Sequence, residues 1–251
     1  MRRIKLTVAY DGTGYSGWQI QPNSPTVEAA LDDAVYRVSG ERIHVIGASR
    51  TDAGVHGLGN VAVFDTDMNI PAERWAHALN RYLPEDISVI SSVQAASDFH
   101  PRHCDTVKTY EYRILSSVFP IPQLRNYSWH VKEKLDIPAM QSAAEVLVGE
   151  HDFKSFCCVR TQAESTVRTV YSLKVSSMPA PIPGAEFVVI RISGNGFLYN
   201  MVRIIAGTLV QVGRRKKSAC DVRKMLMAKD RCRAGQTAPP QGLTLVGIEY
   251  L

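Results

Sequence analysis

Apolar and polar side chains alternate from residue 3 to residue 10. Ile4, Leu6, Val8 and Tyr10 fall on one side and Lys5, Thr7 and Ala9 on the other, the period-two pattern of a strand with one buried face. Asp11-Gly12-Thr13-Gly14 ends it. Beyond Thr26, a good N-cap, the apolar residues Val27, Ala30, Leu31, Ala34, Val35 and Val38 recur at helical spacing. Residues 44–48 and 60–65 read as strands, 71–82 as a helix with proline in its first turn, and 87–93 as a strand.

The second half repeats the order. Residues 108–115 read as a strand, 138–148 as a helix that stops at Gly149, and 166–175 and 186–193 as strands. A helix over 200–212 carries Met201, Ile204, Ile205, Thr208, Leu209 and Val212 on one face. A short helix over 221–227 and a strand over 243–250 complete the chain. Two successive β-α-β-β-α-β patterns predict an α+β fold of two tandem ferredoxin-like units, residues 1–103 and 104–251, with the seam in the polar stretch 94–105.

Composition narrows the class. The 251 residues are 45% hydrophobic and 21% charged, the makeup of a globular protein with a sizeable core. No apolar run approaches the roughly 18 residues that span a bilayer, so neither membrane anchor nor signal peptide is expected. Five cysteines, with no C-x-x-C spacing, read as free thiols of a cytoplasmic protein. A net charge of +5 favours a polyanionic partner without excluding small anionic substrates.

The densest chemistry lies in Gly47-Ala48-Ser49-Arg50-Thr51-Asp52-Ala53-Gly54-Val55-His56, between two predicted strands. Asp52 offers a nucleophile or acceptor, Arg50 and His56 offer cations, and the glycines let a ligand approach the backbone. Ordinary turn chemistry, with Asp52 in an Asx-turn, explains the same residues. Tyr110 and Tyr112 share one face of the strand at 108–115, where cross-strand packing and base stacking are both open. Arg203 sits roughly 200° round the helix from Met201, as a solvated residue or the partner of an internal carboxylate. The run Arg214-Arg215-Lys216-Lys217 after a helix suits either a helix stop or phosphate contact. His100-x-x-His103-Cys104 lacks a fourth ligand at suitable spacing, so no metal is expected.

Taken together, Tyr10-Asp11-Gly12-Thr13-Gly14-Tyr15-Ser16-Gly17-Trp18-Gln19, the loop from Gly47 to His56, Phe99-His100-Pro101-Arg102, Tyr110-Glu111-Tyr112-Arg113, Gly149 to Phe156, Gly196-Phe197-Leu198-Tyr199-Asn200-Met201-Val202-Arg203 and Pro239-Pro240-Gln241-Gly242-Leu243 closely resemble the tRNA pseudouridine synthase A family, or tRNA pseudouridine(38-40) synthases. Their order and spread over nearly the whole chain carry the resemblance. It implies an enzyme that isomerises uridine to pseudouridine at positions 38, 39 and 40 of the tRNA anticodon stem-loop, without a cofactor and as a homodimer. It also implies two ferredoxin-like halves joined into one mixed sheet with a central catalytic cleft. By this resemblance Asp52 is the nucleophile, Tyr110 sits against the target base and Arg203 pairs with Asp52.

The chemistry is coherent. Breaking and remaking a glycosidic bond with the base retained needs one ionised carboxylate in a closed pocket. A stacked uridine must be flipped, and Arg50 beside the nucleophile is placed to fill the vacated space or hold the backbone. A non-catalytic RNA-binding protein of ferredoxin-like architecture is the alternative; it leaves the Arg50-Thr51-Asp52 loop and Arg203 unexplained.

Overall fold

The computed structural model of the protein describes residues 1–158 and 163–251. It is α+β, as the element order predicts, and packing divides it into one unit of Met1–Thr106 with Thr244–Leu251 and another of Val107–Leu243.

In the first unit β1 (Arg2–Tyr10) lies between β4 (Ile87–Ala95) and β3 (His56–Thr66), antiparallel to both. Beyond β3 comes the short β2 (Ile46–Gly47), antiparallel at Ile46↔Val63 and Gly47↔Ala62, which completes the ferredoxin-like strand order. The period-two pattern of β1 becomes packing: Ile4, Leu6, Val8 and Tyr10 meet Leu31, Ala34 and Val35 of α1 (Val27–Ser39) and Trp75 and Leu79 of α2 (Trp75–Leu79) in one buried cluster. Each large apolar side chain buried there contributes about 1.5–3 kcal/mol. Thr26 caps α1 by accepting from the Ala29 amide, and Gly40 ends it at φ +74°.

The helix predicted over 71–82 is shorter than expected. A 3-10 turn occupies Ala72–Arg74, and the Asn80 side chain clamps the backbone of Val89, donating to its carbonyl at 2.9 Å and accepting from its amide at 2.8 Å. The last strand, β10 (Leu243–Tyr250), follows the second half in sequence but runs parallel to β3, with Thr244 opposite His56 and Leu245 opposite Gly57. The exposed edge of β3 is therefore shared: β2 takes one end and β10 the other. Gly59 permits this, because a Cβ there would lie 2.8 Å from the Val246 carbonyl.

In the second unit the order is β5 (Thr106–Ser116), β9 (Glu186–Gly194), β8 (Val167–Pro179), β7 (Gly149–Asp152), all antiparallel neighbours, with β6 (Trp129–Val131) parallel to β5. Strands β6 and β7 are not predicted from the sequence; at three and four residues they are too short to show alternation. Helix α3 (Ile137–Glu145) packs on β8 and against α4 (Met201–Gly213) and α5 (Ala219–Ala228). The apolar face expected for α4 is buried throughout: Met201, Ile204, Ile205, Thr208, Leu209 and Val212.

Candidate active site

Between β2 and β3 the chain leaves the sheet as the loop 48–55, at the point where the β3 edge passes from β2 to β10. Backbone bonds and buried side chains fix this loop on several sides. The Ala48 amide donates to the Val61 carbonyl at 2.7 Å. Asn60, fully buried in β3, donates to the Ser49 carbonyl at 2.9 Å and accepts from the Ser49 amide at 3.2 Å. Its amide group thus replaces the strand partner that the loop has left. The Thr51 carbonyl accepts from the Trp18 amide at 3.1 Å, and the Thr51 hydroxyl pairs with the Tyr10 hydroxyl at 2.8 Å.

Asp52 follows, half-buried. Its carbonyl accepts from the Val55 amide at 3.1 Å, closing a turn in which Gly54 takes φ +75°. The Gly54 amide donates to the Tyr15 carbonyl at 3.2 Å. Two glycines of the 10–19 stretch are required by contact with this turn. Gly17, at φ +98°, would carry a Cβ 2.5 Å from the Thr51 carbonyl, and a Cβ on Gly12 would collide with the Val55 carbonyl. The stretch from Tyr10 to Gln19 is therefore the bed on which the loop rests. Trp18 anchors that bed: its ring packs on Tyr10 at 5.7 Å between centroids, and its indole donates to buried Glu28 at 3.3 Å.

His56, buried at the start of β3, accepts from the Gly12 amide through Nδ1 at 3.1 Å, and Asp11 Oδ1 lies at the same distance from that nitrogen. Nδ1 cannot accept from Gly12 and donate to Asp11 at once. Asp11 Oδ1 is already engaged by the Thr13 amide and hydroxyl at 2.9 and 2.6 Å, so the acceptor role of Nδ1 fits the contacts better and places the ring proton on Nε2. His56 thus ties the start of β3 to the turn at Gly12. Arg50 is exposed, and among the described residues it makes no hydrogen bond or ion pair.

The other two candidate residues lie in the second unit. Tyr110 is 7% exposed on β5, and its ring meets Phe197 edge-on at 5.3 Å. Tyr112, on the same face, is fully buried and donates to the Pro239 carbonyl at 2.7 Å; burial raises its hydroxyl pKa. Arg203 is half-buried in the first turn of α4. Its Nε donates to the Ala238 carbonyl at 2.8 Å and its Nη1 to Asn200 Oδ1 at 2.7 Å. Asn200 precedes the helix at φ +63°, a left-handed conformation that asparagine tolerates better than most residues. Sequence reasoning identified Arg203 but missed Asn200 and Ala238, which aim its guanidinium; the motif Asn-Met-Val-Arg held the signal for the first.

The basic run is partly neutralised. Arg214 pairs with Glu133 at 2.9 Å and Arg215 with Asp136 at 3.0 Å, while Lys216 and Lys217 are exposed. His100 and His103 pack edge to face at 4.1 Å in a turn where the Cys104 thiol donates to the His100 carbonyl. Among the described residues no three His, Cys, Asp or Glu side chains converge, and no helix is long and apolar enough to cross a membrane.

A family model described as tRNA pseudouridine synthase matches residues 6–103 and 143–251, which include the loop 48–55 and Arg203 but not Tyr110. The chain is 47% identical over 250 residues to a tRNA pseudouridine synthase A from Thermoanaerobacter sp. (strain X514), covering 100% of both chains. Proteins of the same name from Brevibacillus brevis and Caldicellulosiruptor bescii are 46% and 44% identical over 250 residues, again with 100% of each chain covered. The fold and these matches define an RNA-modifying isomerase. The chain belongs to the tRNA pseudouridine synthase family, whose reaction turns uridine in tRNA into pseudouridine.

Proposed function

We propose that this chain forms pseudouridine at positions 38, 39 and 40 of the tRNA anticodon stem-loop, with Asp52 as the nucleophile. The observation that carries this reading is the support of one half-buried carboxylate: Asn60, Tyr10, Trp18, Gly12 and Gly17 are all spent on holding the loop that presents it. Such pre-organisation on rigid elements is what a reacting group needs.

In the reaction the N1–C1′ bond of uridine breaks, a C5–C1′ bond forms, the hydrogen on C5 leaves as a proton, and N1, freed from the ribose, takes up a proton. The product is an isomer, so no co-reactant or cofactor is consumed. Asp52 starts the exchange by attack at C1′ or C6, or by removing the C2′ proton. Arg203 serves as its countercharge, which keeps the carboxylate ionised as the base desolvates it. The target nucleotide is flipped from the stack, Arg50 entering the space it leaves, and the uracil rests on Tyr110. The enzyme works in the cytoplasm as a homodimer, which extends the basic surface available to a substrate as large as tRNA.

The test is chemical mapping of pseudouridine in tRNA from cells with and without this protein. Loss at positions 38, 39 and 40 alone is expected. An unchanged map would leave an RNA-binding protein without this activity, and loss elsewhere would reassign the target.

A further inference from the structure

Arg168, the second residue of β8, lies half-buried with its Nη1 donating to the carbonyls of Ser165 at 2.9 Å and Val167 at 2.6 Å. Its Nε and Nη2 make no hydrogen bond and it meets no carboxylate among the described residues. Other arginines here, Arg3, Arg113 and Arg214, pair with Asp65, Glu111 and Glu133. Burial lowers the pKa of Arg168, so its charge sits where an arriving anion would relieve a cost.

The surroundings say which anion. The Thr169 amide donates to Asn195 Oδ1 at 3.0 Å, and the Asn195 amide donates to the Thr169 carbonyl at 3.1 Å. These reciprocal bonds lock the strand of Arg168 to the turn 195–200. Gly196 in that turn leaves room for the arginine: a Cβ there would stand 3.7 Å from Arg168 Nε. The next residue, Phe197, meets Tyr110 edge-on. Val170 and Lys108 both pair with Gly194, and Arg168 lies two residues beyond Val170, so Tyr110 and Arg168 are two strands and about four residues apart, roughly 16 Å between their backbones. The turn carrying Gly196 and Phe197 lies against both side chains, and a nucleotide held at Tyr110 carries its phosphodiesters outward along that turn, toward the long arginine side chain.

We propose that Arg168 binds a tRNA backbone phosphate flanking the nucleotide that stacks on Tyr110, through the Nε and Nη2 edge of its guanidinium. This interaction rests on the reading of Tyr110 as the base platform. Bidentate phosphate binding is the geometry that arginine supplies and lysine does not.

The experiment measures affinity for an unmodified tRNA transcript against salt, with every variant built on Asp52→Asn so that no turnover intervenes. Arg168→Ala is expected to weaken binding about tenfold and to make the log–log salt slope shallower by about 0.7–0.9, the value for a single phosphate left unneutralised. Arg168→Lys restores the slope but only part of the affinity. Tyr110→Ala weakens binding with the slope unchanged, since a stack releases no counterion. An unchanged slope in Arg168→Ala overturns the proposal. So does an Arg168→Lys variant as weak as Arg168→Ala with a lowered Tm, which would make the residue a brace for the 165–167 turn. A Tyr110→Ala variant of normal affinity beside a shallower Arg168→Ala slope would remove the platform and leave the phosphate interaction standing. Wild-type protein lacking pseudouridine formation would instead reject the catalytic reading alone.

Discussion

The loop 48–55 and the run Arg214–Lys217 are both dense in polar residues, yet the fold treats them in opposite ways. Around the loop, buried groups are committed to holding the backbone: Asn60 bonds both polar atoms of the Ser49 main chain, and the Tyr10 hydroxyl meets Thr51. Around the basic run, surface carboxylates quench half of the charge, Glu133 taking Arg214 and Asp136 taking Arg215. Those two pairs follow the C-terminus of α4, where cations also suit the helix dipole. A run of charge is therefore weaker testimony to function than a short segment on which a core spends its scarce buried hydrogen bonds.

Apart from Asp52 itself, the largest effect is expected at Arg203. If it serves Asp52, Arg203→Ala lowers kcat at saturating tRNA by about a hundredfold or more, while affinity changes little, and Arg203→Lys recovers part of the rate. Steady-state kinetics beside equilibrium binding separates the two. Full turnover with weakened affinity would turn Arg203 into a phosphate ligand and leave the loop without its countercharge.

A second test strikes the support of the loop. Asn60→Ala removes both hydrogen bonds from the Asn60 side chain to the buried Ser49 main chain, at a cost of about 1–3 kcal/mol for each bond lost. Denaturant unfolding should reveal that loss, and kcat should fall while tRNA affinity holds. Stability and kcat both unchanged would mean that the loop does not depend on β3 for its shape.

The smallest effect is expected at the basic run. Removing Lys216 and Lys217 should flatten the salt dependence of tRNA binding by at most about 0.7–0.9 for each phosphate no longer neutralised. Removing Arg214 and Arg215 should leave the slope alone and change stability little, because ion pairs at a solvated surface contribute little. Equal slope changes for the lysine and arginine pairs would erase the contrast between quenched and free charge.

Where the fold was legible, local pattern carried it. Alternation in β1, β5 and β9 and the apolar stripes of α1 and α4 place the core without reference to the rest of the chain. The misses are non-local. α2 ends early because Asn80 is claimed by Val89, and β10 returns to β3 because Gly59 lets the Val246 backbone approach. The candidate site divides along the same line. Asp52 and Arg203 stand out as residue types in context, whereas the Tyr10 hydroxyl reaches Thr51 across 41 positions, and no spacing rule announces such a pair. Trp18 and Gly17 could be read only as members of a motif, their task of bedding the loop becoming visible in the folded chain.

On this reading the scaffold around 48–55 presents one reacting carboxylate, Asp52. Asp52→Asn tests it most directly, because the amide preserves shape and removes the nucleophile. The measurement is pseudouridine formed in a single turnover, with tRNA affinity determined on the same preparation. The expected rate is at least about 10³-fold below wild type, with affinity within a few-fold. Turnover at the wild-type rate in a folded Asp52→Asn protein would contradict it.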